Sequence, residues 1–307
     1  MNRRQSFAAL GATAGSALLP ATAMAAAPAA PPAFTYCLNV STIRGQNLGF
    51  VKELETASKA GFRSVEIWIN SLQEYLKNGG TVADARNRLK DLGLTVEDAI
   101  GFAQWVVDDD AARTKGLDQL KQEMELLAQI GCKRIAAPPM GATQGAGLDL
   151  KKAAERYRAI LELGDRTGVV PQLELWGFSK NLSKLSEVMY VALESGHPSA
   201  RVLLDIYHLY KGGSSPASLQ FVGKPAMDIF HLNDYPTNPP RETIVDADRV
   251  YPGDGVAPIR ETLKTIKTPG KTVVLSLELF NKTYYAQDAL TVAKTGLEKM
   301  KKLAEGV

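Results

Sequence analysis

Residues 170–206 read VPQLELWGFSKNLSKLSEVMYVALESGHPSARVLLDI, and this stretch contains the repeating unit of the fold. It predicts two buried strands, 170–176 and 201–206, because each is a short run of apolar and β-branched residues. Between them, the spacing of apolar residues over 182–195 predicts an amphipathic helix. Gly196 follows where a helix commonly ends in a left-handed residue. Strand, helix and strand in this order form a right-handed βαβ unit with parallel strands.

The same alternation extends outward from this unit in both directions. It predicts six more strands, at 34–40, 64–69, 94–100, 133–137, 227–232 and 272–279. It predicts further helices at 49–60, 80–92, 111–130, 149–166, 258–267 and 286–304, with a weak crossover at 215–222. Glycines follow the other helical runs just before a strand, at Gly61, Gly93, Gly131 and Gly168.

Eight β/α units predict an α/β fold of one closed barrel, the (β/α)8 or TIM barrel. The alternative is an open, doubly wound sheet. Such a sheet favours a glycine-rich phosphate turn after its first strand, but residues 39–45 read NVSTIRG.

The N-terminal residues 1–27 have the pattern of an export signal peptide of the twin-arginine type. Arg3 and Arg4 precede an apolar run over 8–19, and small residues near Ala25 offer cleavage sites. An uncleaved membrane anchor is the alternative. Residues 28–33 predict a Pro/Ala linker, and the barrel occupies 34–307. We therefore expect a periplasmic protein that uses the export machinery and has no stable membrane insertion after signal removal.

Charge and cysteine usage exclude some classes of protein. Without its first 27 residues the chain has 34 basic and 33 acidic residues and no dense basic block, so we expect no nucleic-acid partner. Cys37 and Cys132 are predicted near opposite ends of the barrel, too far apart for a disulfide, and we expect buried thiols. A homo-oligomer is compatible with the sequence.

Four consecutive strands each carry one metal-competent side chain near the carboxyl end: Glu174, Asp205, His231 and Glu278. Any one of them could be a salt-bridged carboxylate or a core histidine. Three carboxylates that converge at one mouth, however, repel each other unless a cation lies between them. Three oxygen donors and one imidazole suit one divalent metal ion, Mn²⁺ first, then Mg²⁺, Co²⁺ or Zn²⁺.

These strand ends, with the Asp-x-x-His of Asp205 and His208, resemble the xylose isomerase-like TIM barrel superfamily, the sugar phosphate isomerase/epimerase family. Residues 249–255, RVYPGDG, look like the R-x-x-P-G-x-G element of that family. The resemblance implies that the four residues bind the metal and that Glu174 and Glu278 are the catalytic acid/base pair. It also implies that His208 and Arg249 contact substrate oxygens.

A metal ion bound to adjacent carbonyl and hydroxyl oxygens acidifies the carbon-bound proton between them. We therefore expect an isomerase or epimerase of a non-phosphorylated sugar, keto-sugar or polyol, acting through a metal-bound enediolate. A lyase or dehydratase with the same site, on a keto-inositol or a 3-keto-glycoside, is the alternative. A non-catalytic sugar-binding barrel and the apurinic endonuclease branch are weaker candidates, the latter because the chain has only three histidines.

The chain departs from the ketose 3-epimerase pattern at two positions. Lys180 stands where those enzymes have a second acidic residue, and Gly177 stands where they have asparagine. The loop 234–255 is long for this fold, and we expect it to shape the pocket, the alternative being a solvated insertion.

Some weaker assignments concern the mouth of the barrel. Trp176 and Glu66 are predicted to contact the substrate, the alternative for Glu66 being a buried structural carboxylate. Trp68, Trp105 and Trp176 could form an apolar wall or be packing residues. Residues 141–147 suggest a flexible lid. Asp108-Asp109-Asp110 predicts a helix N-terminus.

Overall fold

Eight parallel strands form the centre of the computed structural model, which describes residues 31–145, 147–223 and 225–307. In chain order they are β1 (Phe34–Asn39), β2 (Ser64–Trp68), β3 (Thr95–Ile100), β4 (Arg134–Ala137), β5 (Val170–Glu174), β6 (Arg201–Asp205), β7 (Ile229–His231) and β8 (Val273–Leu277). They are hydrogen-bonded in the order β3-β2-β1-β8-β7-β6-β5-β4. The predicted (β/α)8 barrel is therefore confirmed, with every strand at its predicted place. The predicted signal peptide, and the linker up to residue 30, lie outside the described residues.

Ten helices accompany the described strands. They are α1 (Phe50–Ala60), α2 (Ile69–Lys77), α3 (Val82–Asp91), α4 (Asp110–Gln129), α5 (Leu150–Thr167), α6 (Leu185–Glu194), α7 (Ile206–Gly212), α8 (Ile259–Ile266), α9 (Lys282–Tyr285) and α10 (Ala289–Ala304). The seven predicted helices are confirmed, and the weak crossover is a 3-10 helix, Pro216–Phe221. None of the helices in the described residues is long and apolar enough to cross a membrane.

The sequence missed the short helices α2, α7 and α9. Two of them start immediately after a strand, so their apolar residues merge with the strand pattern and show no separate period. In α7, the side chain of Asp205 accepts a hydrogen bond from the His208 N–H at 2.9 Å and so begins the helix at the last residue of β6.

The structure confirms the predicted helix ends at glycine, the predicted start of a helix at residues 108–110, and the two buried thiols. Gly61 and Gly168 have φ values of 98° and 75°, the left-handed conformation expected after α1 and α5. The Asp109 carboxylate caps α4 by accepting a hydrogen bond from the backbone of Ala112. Cys37 and Cys132 are buried free thiols.

An ion cluster at the amino ends of the strands holds the barrel together. Strands β3 and β4 are the two ends of the hydrogen-bonded order, and Arg134 Nη1 crosses this seam to the Glu97 carboxylate at 3.2 Å. Arg134 also lies 3.3 Å from Asp228, which pairs with Arg201 at 3.5 Å and with Lys271 at 2.7 Å. One carboxylate before β7 therefore joins β4, β6 and the segment before β8.

The substitution Asp228→Asn is expected to lower the free energy of unfolding by about 1–3 kcal/mol, because three partly buried cations lose their shared carboxylate. Burial raises the pKa of Asp228, but the hydrogen bond from Lys271 and the charges of Arg134 and Arg201 outweigh it and hold the folded pKa below its ordinary value. The stabilisation is therefore present above the unfolded pKa and is lost as the pH falls through the folded one.

Urea unfolding of the wild type and of Asp228→Asn at pH 7 and below pH 4 measures this difference. Asp118→Asn, at an exposed position of α4, is the control and should leave stability unchanged. Equal stability of wild type and Asp228→Asn at pH 7 would contradict the assignment.

Candidate metal and active site

The four metal-competent side chains lie at the carboxyl ends of β5 to β8, the end where barrels of this kind carry their sites. Glu174, Asp205 and His231 are the last residues of β5, β6 and β7, and Glu278 follows β8 directly. All four are buried, with at most 4% of each exposed. One ligand atom each from Asp205, His231 and Glu278 lies within 4.8 Å of the others. Glu174 lies outside this group of three, although its charge interacts with His231 and Glu278.

The chemistry of these residues fits a divalent cation. His231 Nδ1 lies 3.2 Å from Glu278 Oε2 and 3.8 Å from Asp205 Oδ2. Among the described residues, neither His231 Nδ1 nor Glu174 Oε2 has a hydrogen-bond partner, although both atoms are buried. A buried polar atom without a partner costs about 1–3 kcal/mol, and a coordinated cation removes that cost. One nitrogen and several carboxylate oxygens form a donor set that Mn²⁺, Co²⁺ and Zn²⁺ accept.

Buried side chains behind the cluster orient its members. The His231 Nε2 atom lies 2.9 Å from Glu66 Oε1, and Ser276 donates to the other oxygen of Glu66. Asn39 donates to Glu278 Oε1 at 3.1 Å, and Asn233 donates to Asp205 Oδ2 at 2.8 Å. Such supporting hydrogen bonds hold ligands in a binding orientation.

The position of Glu66 favours the alternative of a buried structural carboxylate over a substrate contact. Its side chain is fully buried and both oxygens are engaged inside the barrel. Glu66 is therefore a positioning residue for His231.

Arg249 is at the centre of the cluster and is 1% exposed. Its Nη1 atom donates to Asp205 Oδ2 at 3.1 Å and to Glu278 Oε2 at 2.7 Å. Its Nη2 atom donates to His208 Nε2 at 3.0 Å. Burial and the charge of Arg249 lower the pKa of His208, so this imidazole is neutral. The structure thus brings Arg249 and His208 to the predicted site. Arg249 is hydrogen-bonded to two of the candidate metal ligands, Asp205 and Glu278.

The loop 234–255 holds Arg249 in its position, so the alternative of a solvated insertion without a role is wrong. The buried carboxylate of Asp234 accepts hydrogen bonds from the backbone N–H groups of Gly253, Gly255 and Ala257 at 2.9, 3.0 and 2.9 Å. A Cβ on Gly255 would lie 2.3 Å from Asp234 Oδ1, so only glycine permits this approach. The Asp234 carboxylate, just after β7, therefore fixes the conformation of the far end of the loop.

The two candidate acid/base residues have opposite protonation preferences. Burial, with the charge of Glu278, raises the pKa of Glu174 to about 8, although the charge of His231 opposes the shift. Burial also raises the pKa of Glu278, but His231 and Arg249 outweigh it and hold this pKa below its usual range. Before a cation binds, the two carboxyl groups therefore have opposite protonation preferences, as an acid/base pair requires.

Aromatic side chains form a rim around the cluster. The Trp176 ring lies 5.2 Å from that of Phe178 and 6.4 Å from that of Phe102, which lies 5.1 Å from the Trp68 ring. The predicted apolar wall therefore includes Trp68 and Trp176. Trp105, by contrast, is a core residue whose Nε1 donates to the Pro138 carbonyl at 2.8 Å.

The two departures from the ketose 3-epimerase pattern have different structural settings. A Cβ at Gly177 would lie 2.2 Å from the His208 carbonyl oxygen and 2.7 Å from the Gly212 nitrogen, so α7 leaves no room for asparagine. Lys180 is exposed, and in the described residues its ammonium group makes no ion pair with the cluster. The structure does not bring Lys180 into the buried site.

Sequence reasoning missed the residues that support the cluster. Asn39, Asn233, Asp234, Asp246 and Ser276 all contact a site residue or fix the loop that carries one. Asn39, Asn233, Asp234 and Ser276 lie at or beside the ends of strands β1, β7 and β8, which was the available signal, whereas Asp246 lies in the 3-10 helix Asp246–Asp248 and had none.

Comparison with known proteins supports the fold and the family. A family model described as "Xylose isomerase-like TIM barrel" matches residues 54–303. The chain is 26% identical over 270 residues to an inosose isomerase of Bacillus licheniformis, covering 85% of this chain and 95% of that protein. It is 24% identical to a 3-dehydroshikimate dehydratase of Pseudomonas putida, covering 83% of this chain and 40% of that protein. A crystal structure of the IolI protein with a bound zinc atom superposes with a TM-score of 0.81 at 22% identity, covering 88% of this chain and 98% of that chain.

Purified protein is expected to carry close to one divalent ion per chain, measured by elemental mass spectrometry. Asp205→Ala should lose the ion because it removes a charged donor from the cluster. Since Asp205 also caps α7, Asp205→Asn keeps the cap and tests the charge alone. Asp118→Ala on the exposed face of α4 should keep the ion. A wild-type protein without affinity for Mn²⁺, Co²⁺ or Zn²⁺ would contradict the assignment.

Proposed function

Because the chain belongs to the xylose isomerase-like TIM barrel family, we propose that it is a metal-dependent isomerase or epimerase of a non-phosphorylated sugar, keto-sugar or polyol. The observation that carries this proposal is the geometry of the site: one donor atom each of Asp205, His231 and Glu278 lies within 4.8 Å of the others at the barrel mouth, and Glu174 ends the neighbouring strand β5. Glu174 and Glu278 are two buried carboxyl groups at this site, and moving a proton between two carbons requires both an acid and a base.

The metal ion of this proposal would be held by Asp205, His231 and Glu278. Glu174, the fourth ligand that the sequence predicts, would coordinate as a carboxylate once it has given up its proton. We assign Mn²⁺ as the preferred ion. When bound, such an ion polarises the substrate carbonyl as a Lewis acid. Glu66 holds the His231 ring through Nε2, so that Nδ1 faces Asp205 and Glu278.

The remaining chemistry belongs to side chains of the protein. The ionised Glu278 takes the proton from the carbon next to the substrate carbonyl, which leaves an enediolate. The protonated Glu174 delivers a proton to the neighbouring carbon, for isomerisation, or to the opposite face of the same carbon, for epimerisation. Arg249 donates to His208 Nε2, so the neutral imidazole carries its proton on Nδ1, which has no hydrogen-bond partner in the described residues and can donate to a substrate oxygen. The Arg249 guanidinium beside it stabilises negative charge on the substrate. The buried setting excludes water from the carbanion.

A lyase is the second candidate, and the protonation of Glu174 favours it specifically. After Glu278 has taken the carbon-bound proton, Glu174 can protonate a β-hydroxyl group, which then leaves as water with the electron pair of its carbon–oxygen bond. Among the relatives, the inosose isomerases represent the first reaction and the 3-dehydroshikimate dehydratases the second.

Exchange with solvent deuterium tests the proposal. The protein is incubated in D₂O with an inosose and, separately, with 3-dehydroshikimate, and the products are analysed by NMR and mass spectrometry. We expect deuterium on the carbon next to the carbonyl, and a loss of at least about 100-fold in exchange rate for Glu278→Gln, since a general base contributes about that much or more. The control variant Glu298→Gln, at an exposed position of α10, should exchange deuterium at the wild-type rate.

A product of the same composition as the substrate identifies an isomerase or epimerase, and loss of water identifies a lyase. If a metal-loaded protein exchanges no deuterium into either compound or into a panel of other keto-sugars, the proposal fails.

We also propose that the protein is exported through the twin-arginine route and acts in the periplasm. This rests on Arg3 and Arg4, the apolar run after them and the small residues before the barrel. The double variant Arg3→Lys, Arg4→Lys should remain in the cytoplasm at full length, because that route reads both guanidinium groups, whereas Lys301→Arg should leave export unchanged. Cell fractionation and mass of the purified protein measure this, and cytoplasmic wild-type protein of full length would contradict it.

A further inference from the structure

A second cavity opens at the mouth end of the barrel, outside the cluster of metal-competent residues. It has a volume of about 650 Å³ and lies between the segments that follow β1 and β2. The start of α1 forms one wall and α2 forms the other, so both walls stand at the carboxyl ends of strands, as the candidate active site does. The proposed proton transfer uses none of its residues.

The cavity is joined to the active site by a line of contacting side chains. Arg44 lines the cavity, and its guanidinium group lies 3.8 Å from the centre of the Trp68 ring. The Trp68 ring lies 6.4 Å from that of Phe280, and Phe280 lies 5.1 Å below the Arg249 guanidinium. Arg249 in turn binds Asp205 and Glu278. The cavity and the active site are therefore neighbours, with the stacked Arg44 and Trp68 side chains between them.

Two buried polar groups have no hydrogen-bond partner in the described residues: one on Glu53 in the lining of the cavity, and one on Trp68, which lies behind the lining residue Arg44. Glu53 lines the cavity, is 5% exposed, and its Oε2 atom makes no hydrogen bond. The Nε1 donor of Trp68, a residue 8% exposed, has no acceptor. Burial is the main cause that raises the pKa of Glu53 to about 7, so its carboxyl group both donates and accepts hydrogen bonds near neutral pH. One free acceptor and one free donor are what a ligand with hydroxyl groups satisfies.

The rest of the lining matches a neutral, hydroxyl-rich ring. Asn47, Asn70 and Asn78 offer amide groups, and the Phe50 and Tyr75 rings, 5.4 Å apart, offer an aromatic surface. Amide and carboxyl groups bind hydroxyls, and the C–H face of a sugar ring packs on an aromatic ring.

The charges of the lining argue against an anionic ligand. Two cations, Arg44 and Lys52, face three carboxyl groups, Glu53, Glu55 and Glu74, so the cavity has no excess positive charge to attract phosphate or carboxylate.

We propose that this cavity is a second carbohydrate subsite, which receives a neutral sugar ring linked to the ring that reacts beside Asp205 and Glu278. The inference rests on the proposed function for the site of reaction, and it names the substrate class as a glycoside or disaccharide in place of a free monosaccharide. The volume lies within the range of about 300–1,000 Å³ typical of small-molecule sites.

Calorimetric titration of the purified full protein with glucose, maltose and cellobiose tests the subsite. We expect at least one disaccharide to bind tenfold or more tightly than glucose. Asn70→Trp places a large ring in the cavity from an exposed position of its wall and should remove that difference, and Glu53→Gln should reduce it. Asn87→Trp makes the same change on the exposed face of α3 and should keep the wild-type preference.

Equal binding of glucose and both disaccharides by the wild type, or an undiminished preference in Asn70→Trp, overturns the subsite. Metal content and deuterium exchange of the wild type separate this result from the proposed function. A protein that holds metal and exchanges deuterium but shows no disaccharide preference has the proposed chemistry without the subsite. A protein without metal that still prefers a disaccharide, and loses this preference in Asn70→Trp, has the subsite without the proposed chemistry.

Discussion

Compensation of buried negative charge is the constraint on which the structure of the site depends. Strands β5, β6 and β8 bring three carboxylates into a mouth that is almost completely sealed from solvent. An isolated buried carboxylate costs several kcal/mol, so each must be protonated or paired with a cation. The molecule does both. Before a cation binds, burial raises the pKa of Glu174 and favours its protonated form, while His231 and Arg249 lower the pKa of Glu278 and favour its ionised form.

The need to place a cation beside these carboxylates explains the conformation of the long loop after β7, which carries Arg249. A guanidinium group can span Asp205 and Glu278 only if its backbone is held close above the mouth. Asp234, at the end of β7, holds it there by binding the turn at Gly253 and Gly255, and the short 3-10 helix at Asp246–Asp248 positions Arg249 from the other side. The loop is thus part of the electrostatics of the site as well as its cover.

Negative charge is also compensated by cations at the opposite end of the barrel, where the strands begin. There Asp228 is shared by Arg134, Arg201 and Lys271, and each of these residues has solvent access. Paired charges at that end stabilise the barrel and close the seam beside β3. The charges at the mouth are buried. Among the described residues, His231 Nδ1 and Glu174 Oε2 make no hydrogen bond, so these atoms retain the capacity to bind a cation or a substrate.

The architecture could be predicted from sequence because its signals are local. The alternation of apolar runs with helical periods predicts each unit independently, and in a parallel barrel all strand ends meet at one mouth. Glu174, Asp205, His231 and Glu278 could therefore be grouped without knowing a single distance. The short helix α7 was missed because the cap that begins it, Asp205, is also the end of a strand.

The arrangement inside the mouth was decided only by the tertiary structure. Glu66 and His231 are 165 residues apart, and only the closed barrel brings the Glu66 carboxyl group to 2.9 Å from the imidazole. Arg249 lies among the candidate ligands, and the pKa values of Glu174 and Glu278 move in opposite directions, because of contacts between different strands and loops. Sequence periodicity encodes which face a residue occupies on its own element. Distances between elements, and the electrostatic energies that depend on them, arise only when the barrel closes.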